Sequence, residues 1–171
     1  MKTSKLFQFF FGYRNAEPFA SKGLLIFRII AGLGMILHGL PKLMAPASWM
    51  GDAVPSFLQL LATLSEFGGG VAILLGMLVP LASLGAIITM LTGIVLAHVA
   101  NSDPLYRITV SNTNEGPGTV YFNLPLWFAK AGGHSDFGSG SAELAILYMA
   151  IALLLFFTGP GKYSLDYYFK K

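Results

Sequence analysis

Four long apolar stretches divide the chain, and segments that contain proline or glycine separate them. The stretches run over about 23–44, 56–79, 81–100 and 141–158. An α-helix needs about 20 predominantly apolar residues to cross the hydrocarbon core of a bilayer. The pattern therefore predicts an all-α integral membrane protein, with the helices packed as a four-helix bundle in one domain over residues 1–171.

The connections between these stretches indicate how the helices are arranged. Val79-Pro80 leaves room only for a tight turn, so the second and third helices must be antiparallel neighbours. Residues 101–140 form an outer loop insertion that is longer than the usual connection in a helix bundle. Within this loop, Tyr106–Val110 and Thr119–Phe122 flank a segment containing glycine and proline, which predicts a β-hairpin. We therefore expect the loop to have structure of its own or to bind a partner.

The composition supports a membrane class and excludes several others. Hydrophobic residues make up 54% of the chain and charged residues only 11%, whereas about 25% charge is usual in soluble domains. The pI of about 9.2 does not indicate nucleic-acid binding, because the bases gather at the chain ends rather than along one helical face. The chain has no cysteine, so it cannot attach a c-type haem or hold an iron–sulfur cluster through thiolates. No metal site and no covalent cofactor is predicted.

Basic residues near the first and last stretches predict the orientation of the chain. They are Lys2, Lys5, Arg14 and Lys22 before the first stretch, and Lys162, Lys170 and Lys171 after the last. Cytoplasmic segments of membrane proteins carry an excess of lysine and arginine. Both ends are therefore predicted to face the cytoplasm, which requires an even number of spans and places residues 101–140 on the outer side.

Ionisable residues inside the apolar stretches are the informative positions, because each costs about 2.5 to 3.5 kcal/mol on insertion scales. They are Arg28, His38, Lys42, Glu66, His98 and Glu143. On the first helix one stripe recurs at spacings of four and three: Arg28, Gly32, Met35, Gly39 and Lys42. We expect this stripe, with His38 beside it, to face the protein interior, where its glycines permit close helix contact.

Two of these residues predict an ion pair in the protein interior. Glu66 lies near the middle of the second stretch, and Arg28 lies on the cytoplasmic side of the centre of the first. An arginine side chain that reaches toward the midplane can pair with a carboxylate on an antiparallel neighbour. Two roles remain open for an Arg28–Glu66 pair: a functional site, or packing specificity alone.

The other ionisable residues predict a ligand pocket near the outer surface. His38 and Lys42 lie toward the end of the first helix, His98 toward the end of the third, and Glu143 near the start of the fourth. Histidine, lysine and glutamate together can donate to a carbonyl oxygen and move protons, which a quinone head group requires. The alternative is that Lys42 and Glu143 reach to water. Axial haem ligation by the two histidines is disfavoured, because His98 is expected to lie too shallow.

Three sequence motifs carry a resemblance to a known family. Arg28 is followed by His-Gly-Leu-Pro-Lys-Leu at 38–43. The second motif is Glu-Phe-Gly-Gly-Gly at 66–70 with Leu-Gly-Met-Leu-Val-Pro at 75–80, and the third is Gly-Pro-Gly-Lys-Tyr-Ser-Leu-Asp at 159–166. In this order and at four-helix spacing they resemble the DoxX family over all four stretches. The insertion at 101–140 departs from the shorter connection of many members.

The resemblance implies a small protein of the bacterial inner membrane that is linked to redox metabolism. Some relatives are subunits of a thiosulfate:quinone oxidoreductase, and others partner sulfur-transfer or superoxide-detoxifying enzymes. The wider superfamily also includes cargo receptors, so the fold does not fix the chemistry.

Three functions remain open at this point. The first is a quinone-interacting or accessory membrane subunit of a redox complex, with protein partners and the lipid bilayer around it. The second is a non-catalytic anchor or assembly subunit for a periplasmic or membrane protein. The third, a small proton-coupled carrier, is disfavoured because the chain has no clear internal repeats. A lipid could also occupy the pocket in place of a quinone.

Overall fold

Most of the described chain is helical. The computed structural model describes residues 17–100, 102–108, 125–131 and 141–169. Over these residues, three helical segments are long and apolar enough to cross a membrane: Pro18–Met44, Ser56–Leu75 and Val79–Val99. The predicted class of a helical membrane protein is confirmed in this form. A further apolar helix, Glu143–Thr158, is shorter at 16 residues.

We number the elements in chain order. Helix α1 is Pro18–Gly39, and a 3₁₀ turn at Pro41–Met44 extends it. The remaining helices are α2 at Ser56–Leu75, α3 at Val79–Val99, α4 at Glu143–Thr158 and a short α5 at Leu165–Tyr168. Two strands, β1 at Tyr106–Ile108 and β2 at Ala129–Ala131, pair in parallel.

The described residues fall into two units. The first lies within Met1–Thr89 and Ala150–Lys171, and the second within Met90–Met149. In the first unit, buried apolar side chains come from all four of its long helices: Met35, Ile73, Val79, Ala86 and Leu155. Other large apolar side chains on the same helices are exposed, including Ile30, Leu37, Leu61 and Ile88. Apolar surface of this extent fits contact with lipid.

Helices α1 and α2 approach each other closely through glycine. A Cβ atom built on Gly39 would lie 2.6 Å from the backbone nitrogen of Phe67, and one on Gly32 would lie 2.9 Å from the Gly70 carbonyl oxygen. Only glycine permits such an approach. Arg28, Gly32, Met35 and Gly39 are all buried, so the predicted stripe of α1 does face the interior of the first unit.

The turn between α2 and α3 lies earlier than the sequence predicted. Helix α2 ends at Leu75, and Gly76 adopts a left-handed conformation with φ 72°. Leu78 also has a positive φ, at 50°. Val79 and Pro80 then form the first turn of α3 rather than the connection itself. Proline fits there because the first amides of a helix have no intrahelical acceptor.

Two helices each contain a π-helical segment that the sequence did not reveal. In α2 it covers Leu64–Gly68, and in α3 it covers Ile94–Val99. Such segments are rare and occur often at functional sites. The first contains Glu66 and the second contains His98, two of the ionisable residues singled out by the sequence.

The segment between α3 and α4 differs from the predicted β-hairpin. Strand β1 falls within the first predicted strand, but its partner is β2, with Tyr106 opposite Ala129 in parallel register. The second predicted strand, Thr119–Phe122, lies outside the described residues. A parallel partner requires a long connection, and residues 109–128 provide it.

Candidate functional site

The first unit contains an ion pair between the 3₁₀ turn that follows α1 and the π-helical segment of α2. Lys42 Nζ donates to Glu66 Oε2 at 2.5 Å, and the two side chains are 19% and 8% exposed. The close contact of Gly39 with Phe67 brings these two elements together. An ammonium and a carboxylate at this distance form a charge-assisted hydrogen bond. A proton donor and a proton acceptor therefore lie side by side among apolar helices.

An aromatic ring covers the lysine of this pair. Lys42 Nζ lies over the indole of Trp49, 4.1 Å from the ring centroid. An ammonium at this distance is attracted to the negative face of the ring. Trp49 belongs to the connection between α1 and α2, so this connection contributes directly to the site. We refer to Lys42, Trp49 and Glu66 as the lysine site.

Gln59 holds the connection that carries Trp49. Its side chain is buried, with Oε1 accepting from Met50 N at 2.7 Å and Nε2 donating to the carbonyl oxygens of Gly51 at 2.8 Å and Val54 at 2.6 Å. The Trp49 indole N–H donates in turn to the carbonyl oxygen of Gln59 at 3.3 Å. Irregular backbone needs such partners when it is buried, and a glutamine amide supplies both a donor and an acceptor.

Arg28 lies in a second polar centre of the first unit and does not pair with Glu66. Its guanidinium is 1% exposed and donates to four carbonyl oxygens. These are Ile73 at 2.8 Å, Leu74 at 2.9 Å, Pro160 at 3.1 Å and Tyr163 at 2.6 Å. Arg28 lies more than three turns from Lys42 along the Pro18–Met44 segment, and the α2 carbonyls that it meets, at Ile73 and Leu74, lie about two turns beyond Glu66. The predicted Arg28–Glu66 pair is therefore replaced by two separate interactions.

Asp166 provides the negative charge near Arg28. The Asp166 carboxylate accepts from the backbone amides of Leu78 at 2.9 Å and Val79 at 3.3 Å, and its own amide donates to the Gly76 carbonyl oxygen at 3.0 Å. It thus caps the first turn of α3, where a carboxylate is favoured by unsatisfied amides and the helix dipole. Arg28 and Asp166 together join α1, the α2–α3 turn and the C-terminal segment.

His38 lies on the exposed side of α1, away from the buried stripe. Its Nδ1 lies 2.9 Å from the Gly34 carbonyl oxygen one turn earlier. Since a carbonyl oxygen can only accept, Nδ1 carries the proton in this contact. His38 was expected beside the interior face, and its exposure corrects that expectation. It lies about one turn before Lys42 along the chain.

The second unit contains its own polar cluster. His98 Nδ1 lies 3.2 Å from Asp103 Oδ2, and Arg107 Nη2 lies 3.9 Å from Asp103 Oδ1. Glu143 Oε1 accepts from the Arg107 amide at 2.6 Å. These contacts fasten the residues that follow α3 to the first residue of α4. His98 and Glu143 therefore belong to one network, through Asp103 and Arg107.

The four residues of the predicted pocket are distributed over the two units. His38 and Lys42 lie in the first unit, and His98 and Glu143 in the second. A pocket lined by all four residues stays a prediction. Over the described residues, no group of three or more histidine, cysteine, aspartate or glutamate side chains could hold a metal ion.

Several residues of these clusters were not singled out by the sequence. Gln59 had a signal, because an amide within an apolar stretch must find partners. Asp166 is part of the third motif but was given no role, and Trp49 is part of the connection between the first two apolar stretches. Asp103 and Arg107 carried no signal that distinguishes them from other loop charges.

Three helices able to span a bilayer, with charged side chains buried between helices, define a helical integral membrane protein. The DoxX family model matches residues 23–99, so this part of the chain is a DoxX domain and the resemblance read from the sequence is confirmed over these residues. The match covers most of α1 and all of α2 and α3, and the motif at 159–166 lies beyond it. No curated protein and no solved structure matches the chain.

Proposed function

We propose that this protein is a membrane subunit of a redox complex in the bacterial inner membrane and that it holds a quinone head group at the lysine site. The observation that carries the proposal is the Lys42–Glu66 pair beneath the indole of Trp49. Ionisable side chains are retained inside membrane spans mainly for function. The DoxX domain supports the membrane class and leaves the chemistry to the site.

The chemistry of the lysine site fits a quinone. A quinone head group is an uncharged ring with carbonyl acceptors, so it needs hydrogen-bond donors and an aromatic or apolar surface. An ammonium has three N–H donors, and Glu66 accepts one of them. The remaining donors can serve a carbonyl oxygen of the ligand, and Glu66 can exchange a proton with it. The indole of Trp49 supplies an aromatic surface beside the donor.

The protein is proposed as a subunit because its own residues supply no electron carrier. The chain contains no cysteine, so thiolate-bound clusters and dithiol exchange must belong to another protein. We propose that the electron donor resides on a partner. In this arrangement α4 is the fourth span of a four-helix bundle, and both chain ends face the cytoplasm.

Quinone binding by the purified protein tests this function. The wild type is placed in lipid nanodiscs with ubiquinone-10, and bound quinone is identified by native mass spectrometry. Lys42→Met and Glu66→Gln are expected to lose most of the bound quinone, because each removes one charged group of the pair. Lys22→Met serves as the control, since Lys22 is an exposed lysine on the same helix. Absence of quinone from the wild type would overturn the proposal.

A second candidate is a non-catalytic anchor or assembly subunit. The observation that favours it is the exposed apolar edge before β2, where Leu126 is 56% and Trp127 66% exposed. An outer partner protein could cover these side chains, although a membrane surface could also do so. Substitution Trp127→Ser separates the candidates: loss of a stoichiometric partner with unchanged quinone content supports the anchor, and loss of neither counts against it.

A further inference from the structure

We propose that Gln59 is the positioning residue of the lysine site: it fixes Trp49 over Lys42, and Trp49 and Lys42 together form the binding surface for an uncharged, planar conjugated ring with carbonyl acceptors. The inference rests on the proposed function, because quinones are ligands of this class. It adds a residue outside the predicted site and gives the α1–α2 connection a role in binding.

The connection depends on Gln59 for its shape. Apart from a 3₁₀ turn at Gly51–Ala53, residues 45–55 form no helix or strand that could pair their backbone groups. The Gln59 side chain makes three hydrogen bonds to this backbone, at Met50, Gly51 and Val54. These bonds begin at the residue directly after Trp49. Loss of the amide therefore removes partners from the segment that orients the indole.

The backbone of Gln59 also holds the indole of Trp49. The Trp49 N–H donates to the Gln59 carbonyl oxygen at 3.3 Å, which fixes the edge of the ring. The ring edge is bound to the Gln59 carbonyl and the following backbone to the Gln59 side chain, and in this orientation the face of the ring meets Lys42 Nζ. Gln59 is 1% exposed, so water does not replace these bonds at low cost.

This arrangement prepares the site before a ligand arrives. Glu66 on α2 and Trp49 on the α1–α2 connection both hold the Lys42 ammonium. A binding site that is ordered in advance loses less entropy when the ligand binds. If the indole turned away, the same ligand would have to order both the connection and the lysine. Affinity would then fall although Lys42 and Glu66 were still present.

Tryptophan fluorescence can report on this arrangement directly. The chain has two tryptophans, so Trp127→Phe leaves Trp49 as the sole emitter. In that background Gln59→Leu is compared with the parent in nanodiscs, without ligand and during titration with decylubiquinone. We expect a red-shifted Trp49 emission, stronger quenching by acrylamide and a roughly tenfold loss of decylubiquinone affinity.

Two further variants keep the test decisive. Gln59→Glu retains the oxygen that accepts from Met50 but has no donor for Gly51 and Val54. It should therefore shift the emission and the affinity in the same direction as Gln59→Leu, and it replaces that variant if Gln59→Leu does not fold. Thr63→Val is the matched control: Thr63 is equally buried, and its hydroxyl donates to the carbonyl oxygens of Pro46 at 3.1 Å and Gln59 at 2.9 Å. The substitution removes these bonds but keeps the three side-chain bonds of Gln59 and the acceptor for the Trp49 indole. It should leave the emission and the affinity unchanged.

The outcomes separate this inference from the function on which it rests. Unchanged Trp49 emission and affinity in both Gln59 variants would overturn the positioning role while leaving quinone binding intact. Equal effects of Thr63→Val and Gln59→Leu would also overturn it, since the connection would then respond to any lost bond. Shifted emission in a protein whose wild type binds no decylubiquinone would support the placement of Trp49 and overturn the proposed function.

Discussion

Arg28 Nη1 donates to the carbonyl oxygen of Tyr163 at 2.6 Å, across 135 positions of sequence. The same guanidinium binds the last carbonyls of α2 at Ile73 and Leu74. A buried arginine with four carbonyl acceptors is a fixed junction, because a buried carbonyl oxygen that loses a donor costs free energy. The C-terminal segment is thereby joined to a helix of the DoxX domain.

Arg28→Met should therefore destabilise the protein strongly. The substitution keeps an apolar stem but removes the guanidinium donors from four carbonyl oxygens, of which that of Ile73 also accepts from the Gly76 amide. We expect a loss of about 3 kcal/mol or more. Arg28→Lys should fall between the two, because an ammonium keeps the charge but not the planar fork. Thermal unfolding in detergent measures the effect, with Lys22→Met as the exposed control. Equal stability of Arg28→Met and wild type would contradict the junction.

Asp166 should act together with Arg28. Asp166→Ala removes the cap of α3 and should cost about 1 to 2 kcal/mol. Because both residues hold the same segment, the double variant should lose less than the sum of the single variants, with a coupling of about 0.5 to 3 kcal/mol. A double-mutant cycle by thermal unfolding tests this. Strict additivity would mean that the two residues stabilise independent parts of the unit.

How far the sequence predicts this structure depends on the kind of interaction. Apolar length predicted four spans, and three of these helices are long and apolar enough to cross a membrane. Helical periodicity predicted that Arg28, Gly32, Met35 and Gly39 are buried. The choice of partner could not be predicted, because it depends on the level at which α1 and α2 cross. A crossing with Gly39 beside Phe67 brings Lys42, not Arg28, to Glu66.

The sequence pattern also could not locate the turn between two helices or the irregular turns within a helix. Val79-Pro80 indicated a break, but proline is tolerated in the first turn of a helix, and the left-handed Gly76 made the turn instead. The π-helical segment at Glu66 leaves the apolar pattern almost unchanged, so periodicity cannot reveal it. Gln59 illustrates the opposite case. An amide within an apolar stretch signals that hydrogen-bond partners exist, but the sequence does not show which residues they are.

Glycine substitutions on α1 test the packing that sets this crossing. Gly39→Ala places a Cβ atom 2.6 Å from Phe67 N, so α1 and α2 must separate and Lys42 must move away from Glu66. We expect a loss of about 1 to 3 kcal/mol from overpacking, with weaker quinone binding. Gly23→Ala is the matched control, because nothing lies within 4 Å of its added Cβ. It should stabilise the helix by about 0.5 to 1 kcal/mol.

The orientation of the chain can be tested by thiol labelling because the natural sequence contains no cysteine. Single substitutions Asp52→Cys and Lys22→Cys place thiols at exposed positions, the first beyond the end of the Pro18–Met44 helix and the second near its start. The concentration of lysine and arginine at the chain ends predicts that Lys22 faces the cytoplasm. In intact spheroplasts an impermeant maleimide should therefore label Asp52→Cys, and Lys22→Cys should react only after permeabilisation. The reverse pattern would invert the topology and place the α1–α2 connection, with Trp49, on the cytoplasmic side.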